Sequence, residues 1–353
     1  MRIHYFSGEA WEEAFIREKL AAKTAEGGSP DDSQEPFRGE DIVFHTESLG
    51  ALPELTDPEA EVLCTFIESS IAEAEMSRFP AVKLIATRST GYDHIDLAAA
   101  AVRGITVVNV PFYGENTVAE FAFALLLALS RRIIDADERV RTGIFSPKDL
   151  RGFDLAGKTL GVVGTGHIGA HIIRMAKGFG MNVVGFDAYP NADLSHTLGF
   201  EYLTLPELLA QSDIITLHVP YNEHTHHLIN SENIGGIKKG AYLINTARGA
   251  VVETEALVGA LKSGILAGAA LDVLEEEGDL ADATVLLSAP HPNEATLKVM
   301  LQNHYLIDHP RVIVTPHLAF NTKEAVERIL NTTLENIRSF SAGTPTNTVA
   351  RAA

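Results

Sequence analysis

The 353-residue sequence is poor in cysteine, poor in positive charge and without long hydrophobic runs. A single cysteine, Cys64, excludes an intramolecular disulfide and a cysteine-ligated metal cluster, and it fits a reducing cytoplasm. Lys and Arg number 28 against 47 Asp and Glu, a formal net charge of −19. A polyanion would be repelled over most of such a surface. Nucleic acid and anionic membrane are therefore excluded as partners, whereas a small anion held by a few local donors is not. The longest apolar run, residues 121–129, is far too short to span a bilayer. Residues 1–6 read as a short strand and not as a signal peptide. At roughly 150 residues per domain the length predicts two domains.

What the sequence has is alternation. Strand-like runs fall at residues 41–45, 62–67, 82–87, 105–110, 159–163, 182–186, 214–218, 241–245, 266–271 and 312–314. Amphipathic stretches of helix length lie between many of them, which predicts an α/β fold with parallel sheets and crossover helices. Several runs are apolar throughout, as strands covered on both faces should be. One helix is expected to start near Thr117, with Thr117 and Glu120 at capping-box spacing. Val118, Phe121, Ala122, Leu125, Leu126 and Leu129 would form its buried face. Residues 26–40, rich in Gly, Pro, Ser and acid, read as a solvated loop, and residues 279–310 as an insertion.

The strand at 159–163 runs into Gly164, Thr165, Gly166, His167, Ile168 and Gly169. A helix pattern follows, then a strand ending at Asp187, eighteen residues beyond Gly169. Gly164 permits a tight turn, Gly166 a close approach of backbone to pyrophosphate, and Gly169 the packing of helix on sheet. The helix start supplies N–H groups and a positive dipole end to phosphates. Asp187 can accept hydrogen bonds from adenosine ribose hydroxyls and would repel a 2′-phosphate, so NAD is expected over NADP.

Three later segments each close a strand: residues 243–249 with Arg248, residues 270–277 with Asp272 and Glu277, and residues 314–317 with His317. In open α/β sheets ligands lie at the carboxyl ends of strands, so the three should face one crevice. A guanidinium can bind a carboxylate as a fork. An imidazolium can protonate a carbonyl oxygen while hydride arrives from a nicotinamide. A carboxylate beside the imidazole can orient it and favour its charged form.

Residues 164–169 with Asp187, then 245–249, 272–277 and 315–320, taken in that order, resemble the D-isomer-specific 2-hydroxyacid dehydrogenases, closest to their D-lactate dehydrogenase branch. The resemblance runs from about residue 83 to about residue 328. It implies two Rossmann-like or flavodoxin-like domains with a cofactor cleft between them. The NAD-binding domain would span 109–317, and a discontinuous substrate domain 1–108 plus 318–353. It implies Arg248 as substrate binder, His317 as proton donor and Glu277 as its carboxylate partner. Choosing Glu277 among three consecutive acids relies on the family register, with Glu275 and Glu276 left as a solvated turn. The cofactor would be NAD, contacted by Gly164, Gly166, His167, Ile168, Gly169, Asp187, His218, Val219, Pro220, Thr225, Thr246, Ala247, Arg248 and Asp272. Ser89, Thr90, Gly91 and Tyr92, with Arg248 and Phe320, would contact a small 2-oxo acid, pyruvate first. Tyr92, Tyr113 and Phe320 are candidate pocket walls. His304 and Tyr305, in a stretch longer than the family expects, are further candidates.

The resemblance also implies a homodimer, with the segment from the long helix to Asp154 as its contact. No metal is expected: His224, His226 and His227 cluster near His218 without a matching ligand set. The alternatives are an NAD-sensing, corepressor-like binding protein on the same fold and another NAD-linked dehydrogenase of the family. Glu277 weighs against a formate-type enzyme, which pairs its histidine with glutamine.

Overall fold

The computed structural model describes residues 1–25, 37–277 and 294–349. The chain divides into two compact units, Met1–Tyr113 with Thr322–Ala353, and Gly114–Asn321.

The first unit carries a five-stranded sheet. Its strands are β1 (Arg2–Tyr5), β2 (Ile42–Phe44), β3 (Ala60–Thr65), β4 (Leu84–Thr87) and β5 (Thr106–Val108). Their order is β2-β1-β3-β4-β5, all parallel, as in flavodoxin-like sheets. Every residue of β4 is buried, which explains the apolar run Leu84, Ile85 and Ala86. The chain returns to this unit through the helix Lys323–Ser341, after which Val349 N–H donates to Val107 O at 2.9 Å. Cys64 is fully buried in β3, and burial pushes its thiol up to about 12, so it is chemically inert. Arg88, directly after β4, is buried on Glu12 and Tyr5 Oη, and it also donates to the carbonyls of Phe6 and Ser7.

The second unit carries seven parallel strands: β6 (Thr159–Val163), β7 (Asn182–Phe186), β8 (Glu201–Tyr202), β9 (Ile214–Leu217), β10 (Ala241–Asn245), β11 (Leu266–Leu271) and β12 (Val312–Val314). Their order is β12-β11-β10-β9-β6-β7-β8. The order reverses between β6 and β9, the topological switch point of a doubly wound sheet. Because all strands run the same way, the residues that follow β6, β7, β9, β10, β11 and β12 emerge at one edge.

Three sequence expectations are corrected. The long helix is Glu115–Arg131 with Gly114 as its N-cap; Glu120 accepts a hydrogen bond from Asn116 Nδ2, so no Thr117/Glu120 capping box frames its start. Its buried stripe takes in Ala119 and Phe123, while Val118, Phe121 and Leu129 are half-buried. The strand β8 had no sequence signal, being two residues long. Residues 26–36 of the expected loop and 279–293 of the expected insertion lie outside the described residues. Of the rest, residues 39–41 form a turn of 3₁₀ helix and Glu294–Ile307 is a helix. Met300, Asn303 and Leu306 on that helix are buried, and Leu306 joins the core of the second unit.

Candidate active site

The glycine turn begins where β6 ends. Gly164 has φ +90°, a conformation that L side chains rarely adopt, and a Cβ there would lie 2.5 Å from His218 O. A Cβ on Gly169 would lie 2.1 Å from Gly164 O, so the helix His167–Gly178 can pack this closely only with glycine. Gly166, the N-cap, faces open space, with nothing within 4 Å of a Cβ built on it. The first backbone donor inside the helix is Ala170 N, to Gly166 O at 2.9 Å. The N–H groups of His167, Ile168 and Gly169 are thus the helix-end donors that an anion takes.

Asp187 closes β7. Its Oδ2 accepts from Thr165 N (2.8 Å) and Thr165 Oγ1 (3.0 Å), and its Oδ1 accepts from Tyr189 N (2.9 Å). The carboxylate is therefore fixed beside the glycine turn. His218 follows β9 and shares a hydrogen bond with Thr216 Oγ1 at 2.8 Å. Burial pushes its imidazole down to about 3, so it is neutral at ordinary pH. Val219 packs on the core beside it. Thr225 Oγ1 donates to Pro220 O and accepts from Asn222 N, which shapes the turn after β9. After β10, Thr246 Oγ1 is buried without a hydrogen-bond partner. An orphaned hydroxyl, an open helix N-terminus and a fixed acid at the next strand end are what a dinucleotide requires, so the residues fit NAD.

Arg248 is presented by a turn that buried Asn245 builds. Asn245 Nδ2 donates to Arg248 O (2.9 Å) and Asn245 Oδ1 accepts from Ala247 N (3.0 Å). Gly249 then presses against the chain after β11: a Cβ there would lie 2.0 Å from Leu274 C and 2.3 Å from Glu275 N. Arg248 and the acidic turn are thereby held at a fixed separation.

His317 has φ +50°, in the left-handed region. The residues around it explain how this is held. His317 N donates to Asp272 O at 2.8 Å. The Asp272 carboxylate accepts from Thr315 Oγ1 (2.6 Å), Leu318 N (3.0 Å) and Ala319 N (2.8 Å). Burial raises the Asp272 carboxyl above its ordinary value in spite of these donors. Asp272, expected as a cofactor contact, thus clamps the histidine loop from both sides. His317 Nδ1 lies 2.6 Å from Glu277 Oε1, and Glu277 Oε2 accepts from Leu274 N. Phe320 is half-buried just beyond.

The reading of Glu275 as a solvated residue is overturned. Its side chain is 13% exposed and its carboxylate lies 2.7 Å from His227 Nε2. It also accepts from Thr254 Oγ1 (2.7 Å) and Thr254 N (3.2 Å). Sequence reasoning missed this contact because its partners lie 48 and 21 positions away. The three imidazoles of the histidine cluster take separate partners: His224 Glu223, His226 Tyr221, and His227 Glu275. Tyr305 packs against the core under Lys262 Nζ, which lies 4.8 Å from its ring.

In the first unit, residues 88–92 form the loop after β4. Ser89 is buried and its hydroxyl is shared between Thr87 Oγ1 and Gly91 O. Thr90 Oγ1 donates to Val110 O. The backbone N–H groups of Thr90, Gly91 and Tyr92 have no acceptor among the described residues. Tyr92 is 40% exposed.

Residues 123–319 match the family described as D-isomer specific 2-hydroxyacid dehydrogenase, NAD binding domain. A 2-hydroxyacid dehydrogenase homolog of Zymomonas mobilis is 40% identical, over 86% of this chain and 91% of its own. A glyoxylate reductase of Korarchaeum cryptofilum is 39% identical, over 86% and 82%. The structure is similar to that of D-lactate dehydrogenase from Aquifex aeolicus complexed with NAD and lactic acid. The TM-score is 0.82 at 35% identity, covering 97% of this chain and 96% of that one.

Proposed function

The chain belongs to the D-isomer-specific 2-hydroxyacid dehydrogenases, NAD-dependent oxidoreductases, and from that premise we propose that it interconverts a small 2-oxo acid and its D-2-hydroxy acid, pyruvate and D-lactate first. The observation that carries the reading is the His317–Glu277 contact of 2.6 Å, on the same sheet edge as Arg248. Bound NADH supplies the hydride. The residues of this chain do the rest. The helix start at residues 166–169 takes the pyrophosphate, and Asp187 the adenosine ribose. Arg248 forks the substrate carboxylate. Glu277 engages His317 Nδ1, so Nε2 is the nitrogen that gives its proton to the carbonyl oxygen. In the oxidative direction Nε2 takes that proton back. Ser89, Thr90, Gly91 and Tyr92 are assigned to the substrate carboxylate as well, supported by their unused N–H groups.

Glyoxylate is the second substrate reading, favoured by the 39% identity to a protein named for its reduction. A homodimer is proposed too, supported by the exposure of Ile133 (53%), Ile134 (43%), Val140 (49%) and Phe145 (93%) within one stretch of the chain. A reducing cytoplasm suits the buried thiol of Cys64. The test is NADH oxidation with pyruvate, glyoxylate and phenylpyruvate, with NADPH as control. Pyruvate should give the highest kcat/KM. NADH binding without turnover on any of them would overturn the enzyme reading in favour of an NAD-sensing protein.

A further inference from the structure

The loop that carries Glu277 is held by a second histidine–glutamate contact outside the proton path. Glu275 stands two residues before Glu277, and Glu276 between them has φ +54°. That left-handed residue turns the chain, so the two carboxylates go to different partners. Glu277 meets His317, whereas Glu275 meets His227 Nε2 at 2.7 Å and the Thr254 hydroxyl at 2.7 Å. The Glu275 carbonyl accepts from Asn303 Nδ2 at 2.7 Å. Asn303 is fully buried on the helix Glu294–Ile307. One residue therefore ties down three segments far apart in sequence: the loop after β9, the start of the helix Thr254–Ser263 and the helix Glu294–Ile307.

The Glu275 carboxylate is ionised in this setting. Burial by itself would raise it, but hydrogen bonds from Thr254 and His227 outweigh burial and hold it below its ordinary value. His227 is itself held: it has φ +48°, its N–H donates to Ala250 O at 2.8 Å, and its ring stacks on His226 at 3.9 Å. Gly249 abuts the Leu274–Glu275 peptide, so the same anchor sets the height of the Arg248 turn.

Building on the dehydrogenase reading above, we propose that His227 and Glu275 are positioning residues for the reaction: their contact, with Thr254 and Asn303, holds the turn that aims Glu277 at His317. Neither side chain reaches the reacting atoms through any contact described. A shift of about 1 Å in a supporting group can lower a rate roughly a hundredfold, which sets the scale of the effect.

The experiment compares wild type with His227→Ala, His227→Gln and Thr254→Val. Gln keeps a side-chain N–H for Glu275, and Val keeps the volume of Thr254 while removing its hydroxyl. Two readouts are taken. One is kcat and KM for NADH and pyruvate. The other is the downfield imidazole Nδ1 proton of His317, expected from its short hydrogen bond to a carboxylate and assigned by its loss in His317→Asn. His227→Ala should lower kcat roughly tenfold to a hundredfold, leave KM for NADH unchanged, and shift or broaden the proton signal. Thr254→Val should move both readouts in the same direction by less, and it decides the matter if His227→Ala does not fold. His227→Gln should restore both. Unchanged kcat and signal in His227→Ala and Thr254→Val overturn the positioning role and leave the reaction standing. A wild type that turns over no 2-oxo acid overturns the reaction instead. The proton signal needs no turnover and then decides the positioning role alone.

Discussion

His317 Nδ1 lies 2.6 Å from Glu277 Oε1, so one ring nitrogen is committed to the protein, and in the proposed reaction Nε2 is the nitrogen that serves the carbonyl oxygen. The histidine backbone is clamped on the other side by Asp272. The ring is thus held through Nδ1 and its backbone through Asp272.

Replacing Glu277 by Gln keeps the shape and removes the carboxylate that His317 Nδ1 meets. Steady-state NADH oxidation should show kcat lower by roughly a hundredfold, the size expected for impaired general acid–base catalysis, with KM for NADH unchanged. An undiminished kcat would break the pairing of these two residues.

Arg248→Lys keeps the charge and loses the planar fork. A charged hydrogen bond contributes about 2 kcal/mol, so kcat/KM for the 2-oxo acid should fall roughly thirtyfold, mainly through KM. The binding constant of NADH, measured by fluorescence titration, should stay put.

Asp187→Ala should erase the preference for NADH over NADPH, because the repelling carboxylate is gone. The absolute kcat/KM with NADH should fall as well, since Asp187 also holds Thr165 N and Oγ1 in the glycine turn. A discrimination ratio equal to that of wild type would show that another residue selects the cofactor.

Gly249→Ala places a Cβ 2.0 Å from the Leu274 backbone, and backbone cannot swing aside. Overpacking of this kind costs about 1–3 kcal/mol. The urea midpoint should drop accordingly, and kcat should fall because Arg248 and Glu277 flank the strained contact.

His218 gives a pH signature. Its folded value of about 3 lies below the ordinary 6.5 of an unperturbed imidazole. Between these values the unfolded chain binds the proton that the folded chain refuses, so this residue costs stability progressively as pH falls from 6.5. The slope approaches about 1.4 kcal/mol per pH unit. His218→Gln, which does not titrate, should gain stability relative to wild type between pH 6.5 and 5. Parallel urea midpoints for the two proteins over that range would contradict the buried, neutral state.

Much of the fold was legible because its signals are local. Buried parallel strands are short apolar runs, and β6, β7, β10, β11 and β12 have the bounds that their composition suggested. The glycine turn was legible for the same reason: each glycine answers a backbone requirement within a few residues, with Gly164 and Gly169 against each other. The start of the helix Glu115–Arg131 was misplaced because Asn116 captured Glu120, an alternative that spacing alone does not rank. The burial of Glu275 and Asn303 had no local signal at all, since each is satisfied by a distant segment.

By itself the sequence determined the α/β alternation, the dinucleotide turn and the chemical kinds of group available, because periodicity, glycine requirements and side-chain chemistry are properties of neighbouring residues. Only the tertiary structure decided the division of labour among three consecutive acids. Glu275, Glu276 and Glu277 are the same residue type; a left-handed Glu276 sends one carboxylate to His227 and the other to His317. Those histidines follow β9 and β12 and the acidic turn follows β11, and the parallel sheet brings all three strand ends to one edge.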